Sequence, residues 1–117
     1  MTEQLQLLKE KIRQFADERD WEQFHSPKNL AMALIVEAAE LVEHFQWLTE
    51  EQSCSLSAEK LSEIETELAD ILIYLVRIAD KLGIDLNQAA LKKLQNNAEK
   101  YPADKVRGLS KKYSEYP

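Results

Sequence analysis

The chain has 117 residues, 44% of which are hydrophobic, and its formal net charge is −6 at neutral pH. This length and composition are ordinary for a globular protein with one domain. The negative charge argues against a general nucleic-acid binder, which needs a positive surface. The single cysteine excludes an intramolecular disulfide, and the first residues lack the apolar core of a signal peptide. We therefore expect a cytoplasmic protein, and the longest apolar run, over 71–76, is too short to span a bilayer.

Composition and the spacing of the apolar residues predict an all-α fold. Only two glycines and three prolines occur, and no run of alternating β-branched residues indicates a strand. Apolar residues at helical spacing predict four helices, over about 2–18, 27–48, 58–82 and 86–100.

Capping residues mark the ends of these predicted helices: Ser26 before Pro27 at the start of the second, Gly83 at the end of the third, and Asp85 with Gln88 at the start of the fourth. The connection over 49–57 is interpreted as a polar turn that reverses the chain. Pro102 ends the fourth helix. We expect one helical domain over 1–102 and a polar tail over 103–117 that is ordered only when it docks on a partner surface.

Two acidic pairs lie within the predicted second and third helices: Glu37 with Glu40, and Glu67 with Asp70. Residues three apart stack on one helix face, so the pairs can meet as a cluster of four carboxylates. Two like charges about 4 Å apart repel by roughly 4 kcal/mol at an effective dielectric near 20, so the cluster must take up protons or hold cations. All-oxygen ligands suit Mg²⁺, Mn²⁺ and Ca²⁺. The residues alone leave open a solvated, salt-bridged helix face, although Lys60 is the only Lys or Arg over 31–63.

The fourth helix carries cations of the kind that phosphate recognition requires. Lys93, Asn97 and Lys100 fall at i, i+4 and i+7 on one face, and Tyr101 follows directly. A solvated face is the alternative, but an acidic protein that binds a polyanion needs its few cations in place. Since no glycine-rich phosphate loop occurs, we predict phosphate contacts on this face.

Aromatic residues stand before and after the first acidic pair. Trp21 and Phe24 precede the second helix, and Trp47 shares the stripe of Glu40 on that predicted helix. On the residues alone, core packing is the favoured interpretation of these aromatics. His44 lies a turn past Glu40 and is interpreted as structural.

Taken together, these segments resemble the all-α nucleoside triphosphate pyrophosphohydrolases of the MazG type, and within them the dCTP pyrophosphatase-like branch. The acidic signature of that family, ExxE followed by ExxD on the next helix, is met by the two acidic pairs. Four further segments resemble the dCTP-directed branch: ERDWEQFHSPKNL over 18–30, FQW over 45–47, ADILIYL over 69–75, and the K…N..KYP pattern over 93–102. Val36 stands where MazG sequences often have an additional Glu, a departure that bears on the number of metal ions.

The resemblance implies a four-helix bundle of the MazG-like type, assembled as a homodimer or homotetramer. It implies Mg²⁺-dependent hydrolysis of a (deoxy)nucleoside triphosphate, with a preference for dCTP, to the monophosphate and pyrophosphate, and Mn²⁺ as a substitute. No catalytic side chain is expected beyond the metal ligands Glu37, Glu40, Glu67 and Asp70. The base and sugar pocket is assigned to Trp21, Phe24, His25 and Trp47, with Tyr74 from the stripe of the second acidic pair, and the phosphate site to Lys93, Asn97, Lys100 and Tyr101.

Two other functions also use helices rich in acidic residues. A di-iron carboxylate bundle needs Glu-x-x-His on two helices, whereas the chain has one copy, Glu22 to His25, and Leu41 stands three residues before His44. A non-catalytic helical interaction module, whose acidic face binds a basic partner, is compatible with the composition.

Overall fold

A computed structural model describes residues 2–110, and only the backbone of Thr2. In chain order the described residues form α1 (Thr2–Glu18), a 3-10 helix (Glu22–Phe24), α2 (Pro27–Phe45), α3 (Glu50–Ser53), α4 (Ala58–Leu82), α5 (Leu86–Lys100) and α6 (Ala103–Val106). No strand occurs among them. The predicted all-α class is confirmed.

Side-chain caps set the starts of the long helices where the sequence predicts them. The Ser26 hydroxyl accepts a hydrogen bond from the Asn29 N–H, and Pro27 occupies the first turn of α2, where its missing N–H is harmless. Asp85 caps α5 by accepting from the Gln88 N–H. α4 ends at Gly83, which has φ 67° in the left-handed region that glycine adopts without a Cβ clash.

The end of α2 differs from the prediction. The helix stops at Phe45, not near residue 48, because the chain starts a new helix almost at once. Thr49 forms a capping box with Gln52, in which each side chain accepts from the other residue's backbone N–H, and Thr49 is extended at ψ 165°. The connection interpreted as a polar turn therefore contains α3, and Trp47 lies beyond the end of α2.

The described residues fall into two compact units, Met1–Ile84 and Asp85–Pro117. In the first unit, α1 and α2 both pack against α4. The buried hydrophobic residues are Ile12, Ala16, Leu30, Ile64, Val76 and Ala79. This core is small, and it fixes which faces of α2 and α4 meet.

The second unit contains α5 and the short α6, which begins directly after Pro102. The predicted boundary at residue 102 stays a prediction, and residues 111–117 of the predicted tail lie outside the described residues. None of the described helices combines the length and the apolar character that crossing a bilayer requires.

Candidate metal centre

Three carboxylates come together where α2 packs against α4. One oxygen each from Glu37, Glu67 and Asp70 lies within 4.8 Å of the other two, and all three residues are half-buried. Glu37 comes from α2, whereas Glu67 and Asp70 are three residues apart on one face of α4. The i, i+3 spacing and one helix contact thus suffice to build the cluster.

Two oxygens of this cluster are buried without compensation. Oε2 of Glu37 and Oε2 of Glu67 have no hydrogen-bond partner among the described residues. Buried acceptors are normally satisfied, and a buried carboxylate oxygen without a donor is costly. A hard divalent cation, which binds carboxylate oxygens, fits this donor set.

Glu37 shows the electrostatic cost of the arrangement. Its pKa is raised from the ordinary value of 4.5 to about 7, first by burial and then by the neighbouring carboxyl groups of Glu40, Asp70 and Glu67, which disfavour its ionised form. Glu40 is not one of the three carboxylates within 4.8 Å, but it is a direct neighbour of Glu37. The cluster therefore holds a proton near neutral pH, which a cation would replace.

Tyr74 lies one turn beyond Asp70 on α4 and is half-buried. Its pKa is raised by burial and, next, by the charges of Glu37, Asp70 and Glu40. The phenol is thus kept protonated beside the carboxylates. Its predicted part in the base and sugar pocket stays a prediction.

His44 lies at the edge of the acidic cluster. Its Nε2 is 3.8 Å from Oε1 of Glu67, and its Nδ1 is 3.7 Å from Oε2 of Glu63. The Lys60 Nζ is 3.3 Å from Nδ1 of His44 and 3.3 Å from Oε2 of Glu63. The sequence interpretation of His44 as structural did not anticipate this neighbourhood, although its helical spacing from Glu40 was a usable signal.

The segment 22–25, with its 3-10 helix, is tied to α4 by a charged network. Nε–H of Arg77 donates to Nδ1 of His25 at 3.2 Å, and its terminal nitrogen donates to the Glu22 carboxylate. Lys81 also donates to Glu22. The sequence does not predict this role of Arg77 as the anchor of the segment, because its partners are more than fifty residues away.

The network continues to α1. Nε–H of Arg13 donates to Oδ2 of Asp80 at 3.1 Å, and Arg77 reaches the same oxygen at 3.4 Å. The pKa of Asp80 is lowered, mainly by its hydrogen bond from Arg13. A cavity of about 300 Å³ opens here, and its lining residues are Arg13, Asp17, Glu22, Arg77, Asp80 and Lys81.

Three aromatic side chains of the predicted pocket are exposed. Trp47 is 85% exposed, and Trp21 and Phe24 are exposed as well. Trp21 makes edge-to-face contacts with Phe15 at 5.6 Å and with His25 at 6.4 Å between ring centroids. Core packing therefore does not explain Trp47 in this chain, and large exposed aromatic faces are typical of surfaces that bind a partner or a ligand.

The model of the MazG-like family matches residues 32–116, which include all four acids of the candidate site. The chain belongs to the MazG-like family.

Curated relatives of this chain from different mammals carry the same name. dCTP pyrophosphatase 1 from Homo sapiens is 45% identical over 106 residues, which are 89% of this chain and 62% of that protein. The protein of the same name from Rattus norvegicus is 41% identical over 106 residues. The chain thus spans less than two thirds of the length of these curated relatives.

A solved structure supports the same MazG-like fold. The crystal structure of a pyrophosphatase from Archaeoglobus fulgidus DSM 4304 is 37% identical and has a TM-score of 0.80, and the match covers 85% of this chain and 93% of that one. The predicted fold is confirmed by this match.

The predicted phosphate-binding residues of this MazG-like chain lie on and just after α5. Lys93 and Lys100 are exposed, whereas Asn97 and Tyr101 are half-buried. The Tyr101 N–H donates to the Asn97 carbonyl, which ends the helix. These residues belong to the second unit, and their role as phosphate ligands stays a prediction.

Proposed function

We propose that this MazG-like protein is a Mg²⁺-dependent pyrophosphohydrolase of deoxynucleoside triphosphates, with a preference for dCTP. The observation that carries the proposal is the cluster of Glu37, Glu67 and Asp70, in which two buried oxygens lack partners among the described residues. An acid cluster of this kind suits a hard cation that also binds phosphate oxygens. The activity and the base are taken from the names of the dCTP pyrophosphatase relatives.

Glu37, Glu40, Glu67 and Asp70 would hold the metal, with Mn²⁺ as a substitute for Mg²⁺. When bound, the metal supplies a water of lowered pKa and neutralises phosphate charge. The chain itself positions these oxygens on two packed helices and keeps them partly away from bulk water. We assign no separate side chain as general base.

The reaction proposed is a substitution at the α-phosphorus. The oxygen of water forms a bond to that phosphorus, and the bond from the phosphorus to the oxygen that bridges to the β-phosphate breaks. Pyrophosphate leaves with the electron pair of that bond, the monophosphate keeps the oxygen of the water, and the two protons of the water pass to pyrophosphate and to solvent. Control of the nucleotide pool in the cytoplasm is the role that this reaction suits.

The base and sugar would bind among Trp21, Phe24, His25, Trp47 and Tyr74. Stacking on aromatic faces is worth about 1 to 3 kcal/mol per base. The exposure of the Trp21, Phe24 and Trp47 rings supports this use. Lys93, Asn97, Lys100 and Tyr101 are proposed as phosphate contacts. The partners proposed are a nucleotide and further copies of the chain, as a homodimer or homotetramer, with no nucleic acid and no membrane.

The test is an end-point assay with each of the four deoxynucleoside triphosphates and Mg²⁺. Pyrophosphate and orthophosphate are measured separately, with an Asp70→Asn variant as the control. We expect pyrophosphate as the primary product and the highest kcat/KM for dCTP. Primary release of orthophosphate contradicts the proposal. Metal binding without any hydrolysis favours the alternative, a helical interaction module with an acidic face.

A further inference from the structure

Arg77 is the only charged residue that is fully buried in the described part of the chain, with 2% of its surface exposed. A guanidinium is expensive to remove from water unless every donor finds a partner. The surrounding sequence of α4 is apolar, and a hydrophobic residue would pack at this position without that cost. The buried charge therefore needs a reason other than packing.

The partners of Arg77 supply that reason. Its bond to Asp80, three residues along α4, is long at 3.4 Å. Its contacts with the segment 22–25 are closer: Nε–H donates to Nδ1 of His25 at 3.2 Å, and a terminal nitrogen donates to the Glu22 carboxylate. Arg77 thus orients this segment more than it braces its own helix.

The contact with His25 fixes the chemistry of the imidazole ring. A guanidinium only donates hydrogen bonds, so Nδ1 of His25 must accept and carries no proton. A neutral ring then has its proton on Nε2. The pKa of His25 is lowered, first by burial and then by the charge of Arg77. Lys81 lowers it further, whereas the charge of Glu22 raises it.

We propose that Arg77 is a positioning residue that holds His25 as the neutral Nε2–H tautomer, so that His25 selects substrates that present a hydrogen-bond acceptor. The inference rests on the proposed function, in which His25 belongs to the base and sugar pocket. The acceptor of matching chemistry is a carbonyl oxygen or an unprotonated ring nitrogen of the base. An imidazole with its proton on Nδ1 would offer the substrate a lone pair and reverse the preference.

The first measurement needs no substrate. In ¹⁵N-labelled wild-type protein without metal or nucleotide, long-range ¹H–¹⁵N spectra report the tautomer of each of the two histidines of the chain, and a His25→Gln spectrum assigns them. We expect His25 in the Nε2–H form, and a scalar coupling across the hydrogen bond from Nε of Arg77 to Nδ1. An Nδ1–H tautomer overturns the proposal.

The second measurement uses Arg77→Lys, which keeps the charge and loses the fixed Nε–H donor. We expect mixed tautomers of His25 and a KM for dCTP raised by about five- to tenfold, with little change in kcat. The differences in kcat/KM among the four deoxynucleoside triphosphates should become smaller. Arg13→Lys is the matched control, because Arg13 belongs to the same network through Asp80 and makes its side-chain hydrogen bonds, among the described residues, to Asp80 and not to His25. In this variant, the tautomer of His25 and the steady-state kinetics should match those of wild type.

The two measurements distinguish a failure of this inference from a failure of the proposed function. If wild-type protein hydrolyses no deoxynucleoside triphosphate, the proposed function fails and with it the substrate part of the inference, while the tautomer still decides the link between Arg77 and His25. If Arg77→Lys lowers stability but leaves the tautomer, KM and base ranking as in wild type, Arg77 is only structural and the inference is wrong.

Discussion

Burial and the repulsion of neighbouring carboxylates both disfavour the ionised form of Glu37. Its pKa of about 7 in the folded protein lies above the ordinary 4.5. A carboxyl group whose pKa is raised by folding stabilises the fold below its unfolded pKa, and this stability is lost as the pH rises through the folded pKa. In the absence of metal, ionisation of Glu37 therefore weakens the fold between about pH 4.5 and pH 7.

Thermal unfolding in EDTA tests this. The Tm of Glu37→Gln minus that of wild type should grow as the pH rises from about 5.5 to about 8, because the amide mimics the protonated acid at every pH. Glu43→Gln, at an exposed position of α2, is the control and should show a difference that does not change with pH. A constant difference for Glu37→Gln would contradict the pKa assignment.

Asp70 and Glu40 test the metal assignment. Asp70→Asn or Glu40→Gln removes one hard anionic ligand, and we expect a loss of activity of at least about 100-fold, since even partners of metal ligands contribute 10- to 100-fold. The helical circular dichroism should be unchanged. Calorimetric titration of Mg²⁺ should show weaker binding, whereas Glu65→Gln, exposed on α4, should bind as wild type. Turnover near that of wild type at saturating Mg²⁺ would refute the assignment.

At the scale of helices, the start and end of most elements follow from local chemistry. Ser26, Gly83 and Asp85 act through neighbours within four residues, which is why the sequence predicts them. Thr49 and Gln52 are equally local, and their capping box was a readable signal for α3 that the polar composition of the connection concealed. The shorter α2 is the consequence.

The candidate site likewise combines features that are local in sequence with contacts that depend on how distant segments pack. The spacing of Glu67 and Asp70 is a property of one helix, so the sequence predicts that they share a face. The contacts of Arg77 with Glu22 and His25 depend on how α4 meets a segment fifty residues earlier, and no periodicity carries that information. The approach of His44 to Glu67 likewise requires the contact of α2 with α4, so the sequence indicates only a structural residue there.

The segment after α2 offers a test of base recognition. Trp47 lies outside the helix and is 85% exposed, so its replacement should leave the fold intact. We expect Trp47→Ala to raise the KM for dCTP by about five- to 100-fold, since a lost stacking face costs about 1 to 3 kcal/mol, and to reduce discrimination among bases. Trp47→Phe keeps an aromatic face and should recover most of the affinity. Steady-state kinetics with an unchanged KM and base ranking in the Ala variant would show that Trp47 does not contact the base.

At the scale of the whole molecule, the apolar surface predicts self-association. The hydrophobic side chains left exposed on α2 and α4 include Met32, Ile35, Val36, Val42, Leu68 and Leu72. Large apolar patches are rare on the surface of a monomer and mark interfaces, so we expect these side chains to be covered in an assembly. The predicted homodimer or homotetramer would cover it with a further copy of the chain.

Light scattering coupled to gel filtration tests the prediction. At micromolar concentration we expect a dimer or tetramer for wild type, and a shift toward monomer for Ile35→Asp, because Ile35 is 65% exposed and its replacement does not open the core. Lys11→Asp, at an exposed position of α1, is the control for an added acidic charge. A monomeric wild-type protein contradicts the prediction.

The ion pair between Arg13 and Asp80 joins residues 67 positions apart, whereas a connection of a dozen residues links α2 to α4. Closing the shorter loop costs less chain entropy, so we expect the pairing of α2 with α4 to form early in folding and to be lost last. On α1, the buried hydrophobic residues are Ile12 and Ala16, and an ion pair with a half-exposed Arg13 adds little. Amide hydrogens of α1 should therefore exchange with deuterium sooner than those of the α2 and α4 pair. In such a partly opened molecule the carboxylates of Glu37, Glu67 and Asp70 stay together on α2 and α4, while Trp21 loses its contact with Phe15 of α1. We therefore expect cation affinity to survive mild denaturant after nucleotide affinity has gone.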